Sequence, residues 1–205
     1  MSDNEKRYFF LLEWADNVVD IREQYPLDRE KTISLAHRKH IHHPVDRQTK
    51  TPLVFTTDFF ITVREQKKTV FLARTIKPHE ELEKPRTLEK LEIERAYWRE
   101  QGIDWGIVTD LDIPKILAAN VEWIHPFKWL DGLTDLKDAE VNDLLEVLIK
   151  SIPREECTLQ TLVSRLNREF NLENGVFLNL AKYLMAHKIL QTDFVNRKKQ
   201  RLGFT

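Results

Sequence analysis

One cysteine, five glycines and no long apolar run set the first limits on this 205-residue sequence. The lone cysteine, Cys157, excludes an internal disulfide framework and any zinc site built on several thiolates. Five glycines are too few for a collagen, a propeller or a Gly-rich phosphate loop. No apolar stretch approaches the roughly 20 residues that a membrane-spanning helix needs. The opening Met1-Ser2-Asp3-Asn4-Glu5 carries neither a basic nor an apolar segment, so no signal peptide is read there and a soluble, cytoplasmic protein is expected. Charge of one sign is lacking too. The 32 Lys and Arg stand against 33 Asp and Glu, and such a balance neither favours nor excludes nucleic acid, because local patches decide. What is present is apolar mass: 41% hydrophobic and 10% aromatic residues are enough to offset chain entropy by burial. The length suits one ordinary domain and a small second one.

Residue patterning predicts an α/β core. Glu5–Asp16, rich in Phe9, Phe10, Leu11, Leu12 and Trp14, reads as a helix capped by Asp3 or Asn4. Val18–Pro26 alternates as an edge-type strand, and the His-rich Ala36–Pro44 reads as loop or helix end. Leu53–Val63 and Thr69–Lys77 are β-branched and aromatic, with the polar turn Gln66-Lys67-Lys68 between them, and predict an antiparallel hairpin. Arg86–Gln101 is the clearest helix, stopped by Gly102. Trp105–Thr109 then reads as a strand and Ile113–Val121 as a helix, which gives a mixed sheet. Composition changes at His125-Pro126, so residues 1–125 and 126–205 are expected to form two domains. The second carries helical patterns over Asp138–Ser151, Leu159–Phe170 and Gly175–His187, then one short strand in Ile189–Val195. Three helices and a β segment suggest a winged-helix-like module with a basic tail at Asn196–Arg201.

Asp58 carries the chemical interest. A carboxylate inside Thr57-Asp58-Phe59-Phe60 is costly unless it is paired, hydrogen-bonded or metal-bound. The next strand ends in Thr75-Ile76-Lys77, and Asp on one strand with acceptor-x-Lys on its neighbour is the pattern of metal-dependent nucleases. In such a site the carboxylates hold Mg²⁺, the metal lowers the pKa of water, and lysine offsets charge growing on the phosphate. Glu5, on the first helix, offers a second carboxylate. Taken alone, the string fits a buried Asp58–Lys77 salt bridge better than a nuclease, and both readings stay open on it.

Longer strings decide further. Glu13-Trp14, Val19 through Pro26 (VDIREQYP), His43-Pro44, Thr56-Thr57-Asp58-Phe59, Ile76-Lys77-Pro78, Arg86 through Arg95 (RTLEKLEIER), Tyr97-Trp98 and Asn120-Val121-Glu122-Trp123 stand in one order over residues 1–125. In these the chain resembles the TnsA family, the endonuclease subunits of heteromeric cut-and-paste transposons of the Tn-seven type. The resemblance implies a restriction-endonuclease-like fold of the PD-(D/E)xK type and a catalytic set of Glu5, Asp58 and Lys77. It implies Mg²⁺, with Mn²⁺ as an alternative, held by Glu5, Asp58 and the Thr75-Ile76 segment. Thr75 departs from the family, which has Gln or Glu there, and a neutral hydroxyl is a weak Mg²⁺ ligand, while the Ile76 carbonyl remains available. The resemblance further implies cleavage of the 5′ strands at transposon ends. It implies double-stranded DNA, a DDE transposase (TnsB) and an AAA+ regulator (TnsC) as partners, with the second domain docking protein.

Other residues weigh less. His37, His40, His42 and His43 fit no zinc signature and are read as a solvated loop, with Arg38 and Lys39 forming a cationic patch for phosphate. Glu89, Glu92 and Glu94 are read as the polar face of an exposed helix, whose Arg86 and Lys90 the resemblance places on phosphate. Trp98, Trp105 and Trp123 are read as core or interface packing rather than as base-stacking platforms. In the second domain Arg165, Arg168 and Lys182, with Lys198, Lys199 and Arg201 in the tail, are too sparse to establish DNA contact. Two alternatives stand beside the endonuclease subunit. One is a catalytically weak adaptor bridging transposase and regulator, which Thr75 favours. The other is a stand-alone restriction-type nuclease, for which no sequence-reading domain is evident.

Overall fold

The computed structural model describes residues 1–129, 137–152, 157–194 and 203–204. Helix α1 (Asp3–Trp14) starts at a capping box: Glu5 N–H donates to Ser2 Oγ at 3.3 Å, and Ser2 N–H donates to the Glu5 carboxylate at 3.1 Å. The cap is therefore Ser2 rather than Asp3 or Asn4, because only Ser2 has a glutamate three residues on. Strand β1 (Val18–Pro26) follows, then α2 (Arg29–Arg38), a helix that patterning does not announce and whose last residues enter the Ala36–Pro44 stretch expected to be loop or helix end. Helix α2 is capped by Asp28 and buries only Thr32, Leu35 and Ala36, so its polar sequence shows no broad apolar stripe.

The predicted hairpin is present as β2 (Thr56–Glu65) and β3 (Lys68–Lys77), with Leu53 and Val54 exposed ahead of it. Helix α3 (Pro85–Glu100) opens on proline and ends before Gly102, whose φ of +67° suits a residue without Cβ. It crosses over to β4 (Asp104–Thr109). The sheet runs β1-β2-β3-β4, antiparallel except for the parallel β3–β4 pair, which is the pair that needs a helical crossover.

Alternation along β2 explains why it reads as one apolar run. Phe59, Ile61 and Val63 pack with Leu12 of α1 and Ile76, whereas Phe60 packs with Leu35, Ile93, Ala96 and Trp98 of α2 and α3. Both faces of the strand are covered, so every side chain from Thr57 to Ile61 is buried. Truncating Ile61 to alanine here would cost about 2–5 kcal/mol.

Two compact units divide between Pro114 and Lys115, ahead of the expected break at residues 125/126. His125-Pro126 instead opens a 3₁₀ turn inside the second unit. Helix α4 (Lys115–Ile124) buries Ala118, Val121 and Ile124 in that unit, alongside α5 (Asp138–Ser151), α6 (Leu159–Glu169) and α7 (Val176–Ala186). A short ladder pairs β5 (Leu190–Gln191) with β6 (Gly203–Phe204), so the strand expected over Ile189–Val195 shrinks to two residues. Val195 and the basic Lys198, Lys199 and Arg201 lie outside the described residues. Trp123 is 45% exposed and so outside the core, with the Lys182 ammonium 4.4 Å from its ring centre and 4.3 Å from that of Phe127. No helix among the described residues is long and apolar enough to cross a membrane.

Candidate active site

Asp58 is 8% exposed, and both of its carboxylate oxygens accept hydrogen bonds. The antiparallel pairing of β2 with β3 ends at Phe59 and Arg74, and past it the Ile76 N–H donates to Asp58 Oδ2 at 2.7 Å. Lys77 Nζ reaches the same oxygen at 3.3 Å and its own neighbour's carbonyl, Ile76 O, at 2.9 Å. Gln24 Nε2 donates to Oδ1 at 3.2 Å. The expected Asp58–Lys77 contact thus exists, but as one part of a site with an amide and a backbone donor. Lys77 is a third exposed and opens into a cleft of about 370 Å³ that Thr75, Glu94 and Lys90 also line.

The Thr75 hydroxyl does not turn to Asp58. It donates to Glu94 Oε1 at 2.5 Å and accepts from Trp105 Nε1 at 3.2 Å. Thr57 mirrors it, donating to the same Glu94 oxygen at 2.5 Å and accepting from Trp98 Nε1 at 2.7 Å. A symmetrical chain results, indole to threonine to carboxylate from both sides, and it ties α3 to β2, β3 and β4. Burial pushes the Glu94 carboxyl above its ordinary value, partly offset by the two threonine hydroxyls. Glu94 is 4% exposed, so its placement on an exposed polar face is corrected. Its signal was in the sequence: Leu91, Glu94 and Trp98 fall on one stripe of α3. Glu89 and Glu92 do stay on the surface, and the Glu92 carboxyl is lowered to about 2 by the Arg95 guanidinium and by Lys39.

Glu5 sits in the first turn of α1, held by Ser2. Three residues on, Tyr8 packs edge-on against Phe59, the neighbour of Asp58, with ring centres 5.6 Å apart. Among the described residues no three His, Cys, Asp or Glu side chains gather as a metal-holding group. The donor chemistry nonetheless fits Mg²⁺, a hard cation that takes one or two carboxylates and leaves other positions to water and substrate phosphate. Asp58 supplies a fixed carboxylate and Ile76 a carbonyl, both oxygen ligands, whereas the Thr75 hydroxyl is spent on Glu94.

The predicted phosphate contacts divide. Arg38 pairs with Glu100 at 2.6 Å, Lys39 with Glu92 at 2.7 Å and Arg86 with Glu89 at 2.6 Å. Lys90 is exposed, lines the cleft and has no ion-pair partner among the described residues. His37, His40 and His42 are exposed as expected, but His43 is tucked in, its ring nitrogens 2.9 Å from Pro44 O and 3.2 Å from Thr32 Oγ1. Burial holds the His43 imidazole below its ordinary value.

A mixed sheet covered by helices on both faces, with an aspartate and a lysine joined across its central hairpin, fits an α/β nuclease fold. Residues 15–110 match the family model described as TnsA-like endonuclease N terminal, and residues 112–194 match TnsA endonuclease C terminal. Transposon Tn7 transposition protein TnsA of Escherichia coli is 32% identical over 191 residues, which is 93% of this chain and 67% of that protein. The chain belongs to the TnsA family of endonucleases.

Proposed function

We propose that this protein is the endonuclease subunit of a cut-and-paste transposase, and that it hydrolyses the 5′ strands at transposon ends. The observation that carries the reading is the Asp58 carboxylate, buried yet bound by the Ile76 N–H and by Lys77, whose ammonium faces an open cleft. Mg²⁺ or Mn²⁺ held by Asp58, Glu5 and the Ile76 carbonyl would supply a polarised water and neutralise phosphate charge. Lys77 is suited to orient that water and to stabilise the charge that develops on the phosphodiester. Lys90 is the cation best placed to receive the DNA backbone in the cleft. The surface ion pairs of Arg38, Lys39 and Arg86 are each worth about 0–1 kcal/mol, so DNA phosphate can compete for these residues.

The relative's name associates it with Tn7 transposition, and membership of its family supports the same process here. The partners inferred are a DDE transposase that makes the 3′ cuts and an AAA+ regulator. We read the second unit as winged-helix-like and as the docking module for these proteins. A cytoplasmic setting follows from that process.

Cleavage of strand-labelled transposon-end DNA, with and without the partner transposase, tests the reading. A metal-dependent 5′-strand nick that requires the partner is expected. No cutting under any condition, with the partner's own 3′ cuts still enhanced, would instead identify an adaptor. Cutting without the partner would identify a stand-alone nuclease.

A further inference from the structure

Gln24 lies inside β1 with φ +48°, a left-handed conformation that residues with a Cβ seldom adopt. Such an outlier persists only where its surroundings hold it. Gln24 is exposed, so core packing does not hold it. Register shows what does. Glu23 pairs with Phe59 and Tyr25 with Thr57, which sets Gln24 level with Asp58 on the neighbouring strand. Both ends of its amide are engaged: Thr56 Oγ1 donates to Oε1 at 2.8 Å, and Nε2 donates to Asp58 Oδ1 at 3.2 Å. With the amide oxygen taken up by the hydroxyl, the NH₂ group is the end left to face the carboxylate.

We propose that Gln24 is a positioning residue of the nuclease site, fixing the rotation of the Asp58 carboxylate so that one lone pair stays directed at a divalent cation. The proposal rests on the function inferred above. An aspartate χ2 torsion is broad and two-fold, so donors on one oxygen alone leave the carboxylate plane free to turn. Ile76 N–H and Lys77 Nζ hold Oδ2, and Gln24 holds the other oxygen. Three donors occupy a group with about four acceptor sites, which leaves one for a metal. Gln24 touches neither substrate nor metal in this arrangement and acts through Asp58.

The test uses the full chain with Gln24→Met, which keeps the length and removes the amide, and Gln24→Gly, which also adopts φ +48° freely. Calorimetric titration with Mn²⁺ in the absence of DNA should show affinity lower by about tenfold or more in both, the range for groups that orient a metal ligand. With the partner transposase present, kcat for 5′ cleavage should fall while KM for DNA holds. Thermal unfolding of Gln24→Gly should occur at or above the parent's temperature, because the strain is relieved. Mn²⁺ affinity within about twofold of the parent in the folded variants overturns the proposal, whatever cleavage does. Should Gln24→Met fail to fold, Gln24→Gly decides alone. Asp58→Asn, titrated in parallel, separates the two levels. If it binds Mn²⁺ like the parent, the assigned site fails and the Gln24 proposal with it. If it loses binding while both Gln24 variants retain it, the Gln24 proposal alone falls.

Discussion

Thr57 and Thr75 reach the same oxygen of Glu94, each at 2.5 Å, and each receives an indole N–H from a tryptophan on its far side. The carboxylate is thus a clasp that binds α3 to the two strands carrying Asp58 and Lys77, and both hydroxyls and both indole N–H groups of the clasp have partners.

Removing one link leaves a buried donor unsatisfied. Thr75→Val should destabilise the fold by about 1–3 kcal/mol, since Trp105 loses its acceptor and Glu94 loses a donor. The Mg²⁺ midpoint for cleavage should stay where it is, because the hydroxyl already serves Glu94. Urea unfolding and a metal titration check both halves, and a shifted midpoint would return Thr75 to the metal.

Glu94 also sets a pH dependence. Burial raises its folded-state pKa above the ordinary 4.5, so between 4.5 and the raised value the folded chain binds more protons than the unfolded one. Over that window stability falls as pH rises. The stability of the parent relative to Glu94→Gln should therefore decline upward from pH 4.5 and then level off. Unfolding free energies of the two proteins measured from pH 4 to 8 give that difference, and a flat profile contradicts the buried carboxylate.

Glu92 behaves in the opposite sense. Its carboxyl, held at about 2 by Arg95 and Lys39, contributes stability above its unfolded value of 4.5 and loses it as pH falls toward 2. The pair is partly exposed, so Glu92→Gln should cost under about 1 kcal/mol at pH 7 and progressively less below pH 4.5. Chemical denaturation at pH 7 and pH 3 reads the difference.

The division of the chain has a consequence for truncation. Residues 1–114 should unfold cooperatively and remain monomeric, whereas residues 1–125 should aggregate, because α4 would present Val121 and Ile124 with no cover from α7. Light scattering of the two fragments tells them apart.

What could be read from residues alone followed from local pattern. Alternation marks β1, β-branched and aromatic runs on either side of a polar turn mark the β2–β3 hairpin, helical spacing marks α3, and the expense of a carboxylate among Phe59 and Phe60 picks out Asp58. What stayed hidden depends on contacts far apart in the chain. Gln24 gains its role only through the register that sets it beside Asp58. Glu94 shares its residue type with the surface Glu89 and Glu92, and only its place on the Leu91–Trp98 stripe separates it. Helix α2 lacks a broad apolar face, so nothing local announced it. The change of composition at His125-Pro126 points to a boundary there, but those residues form a turn within the second unit, whose first helix is as apolar as a core helix of either unit could be.

The central claim is that the Asp58 carboxylate is the catalytic anchor, and Asp58→Asn addresses it with least disturbance. The amide keeps an oxygen to accept the Ile76 N–H but sets an NH₂ against Gln24 Nε2 and removes the charge partner of Lys77, so the unfolding temperature should drop by less than in Asp58→Ala, which strands the Ile76 N–H at a cost of about 1–3 kcal/mol. The decisive measurement is 5′-strand cleavage of transposon-end DNA by Asp58→Asn with Mg²⁺ and the partner transposase. Loss of cutting by a protein that remains folded at the assay temperature is the expected result; cutting at the parent's rate would contradict the account.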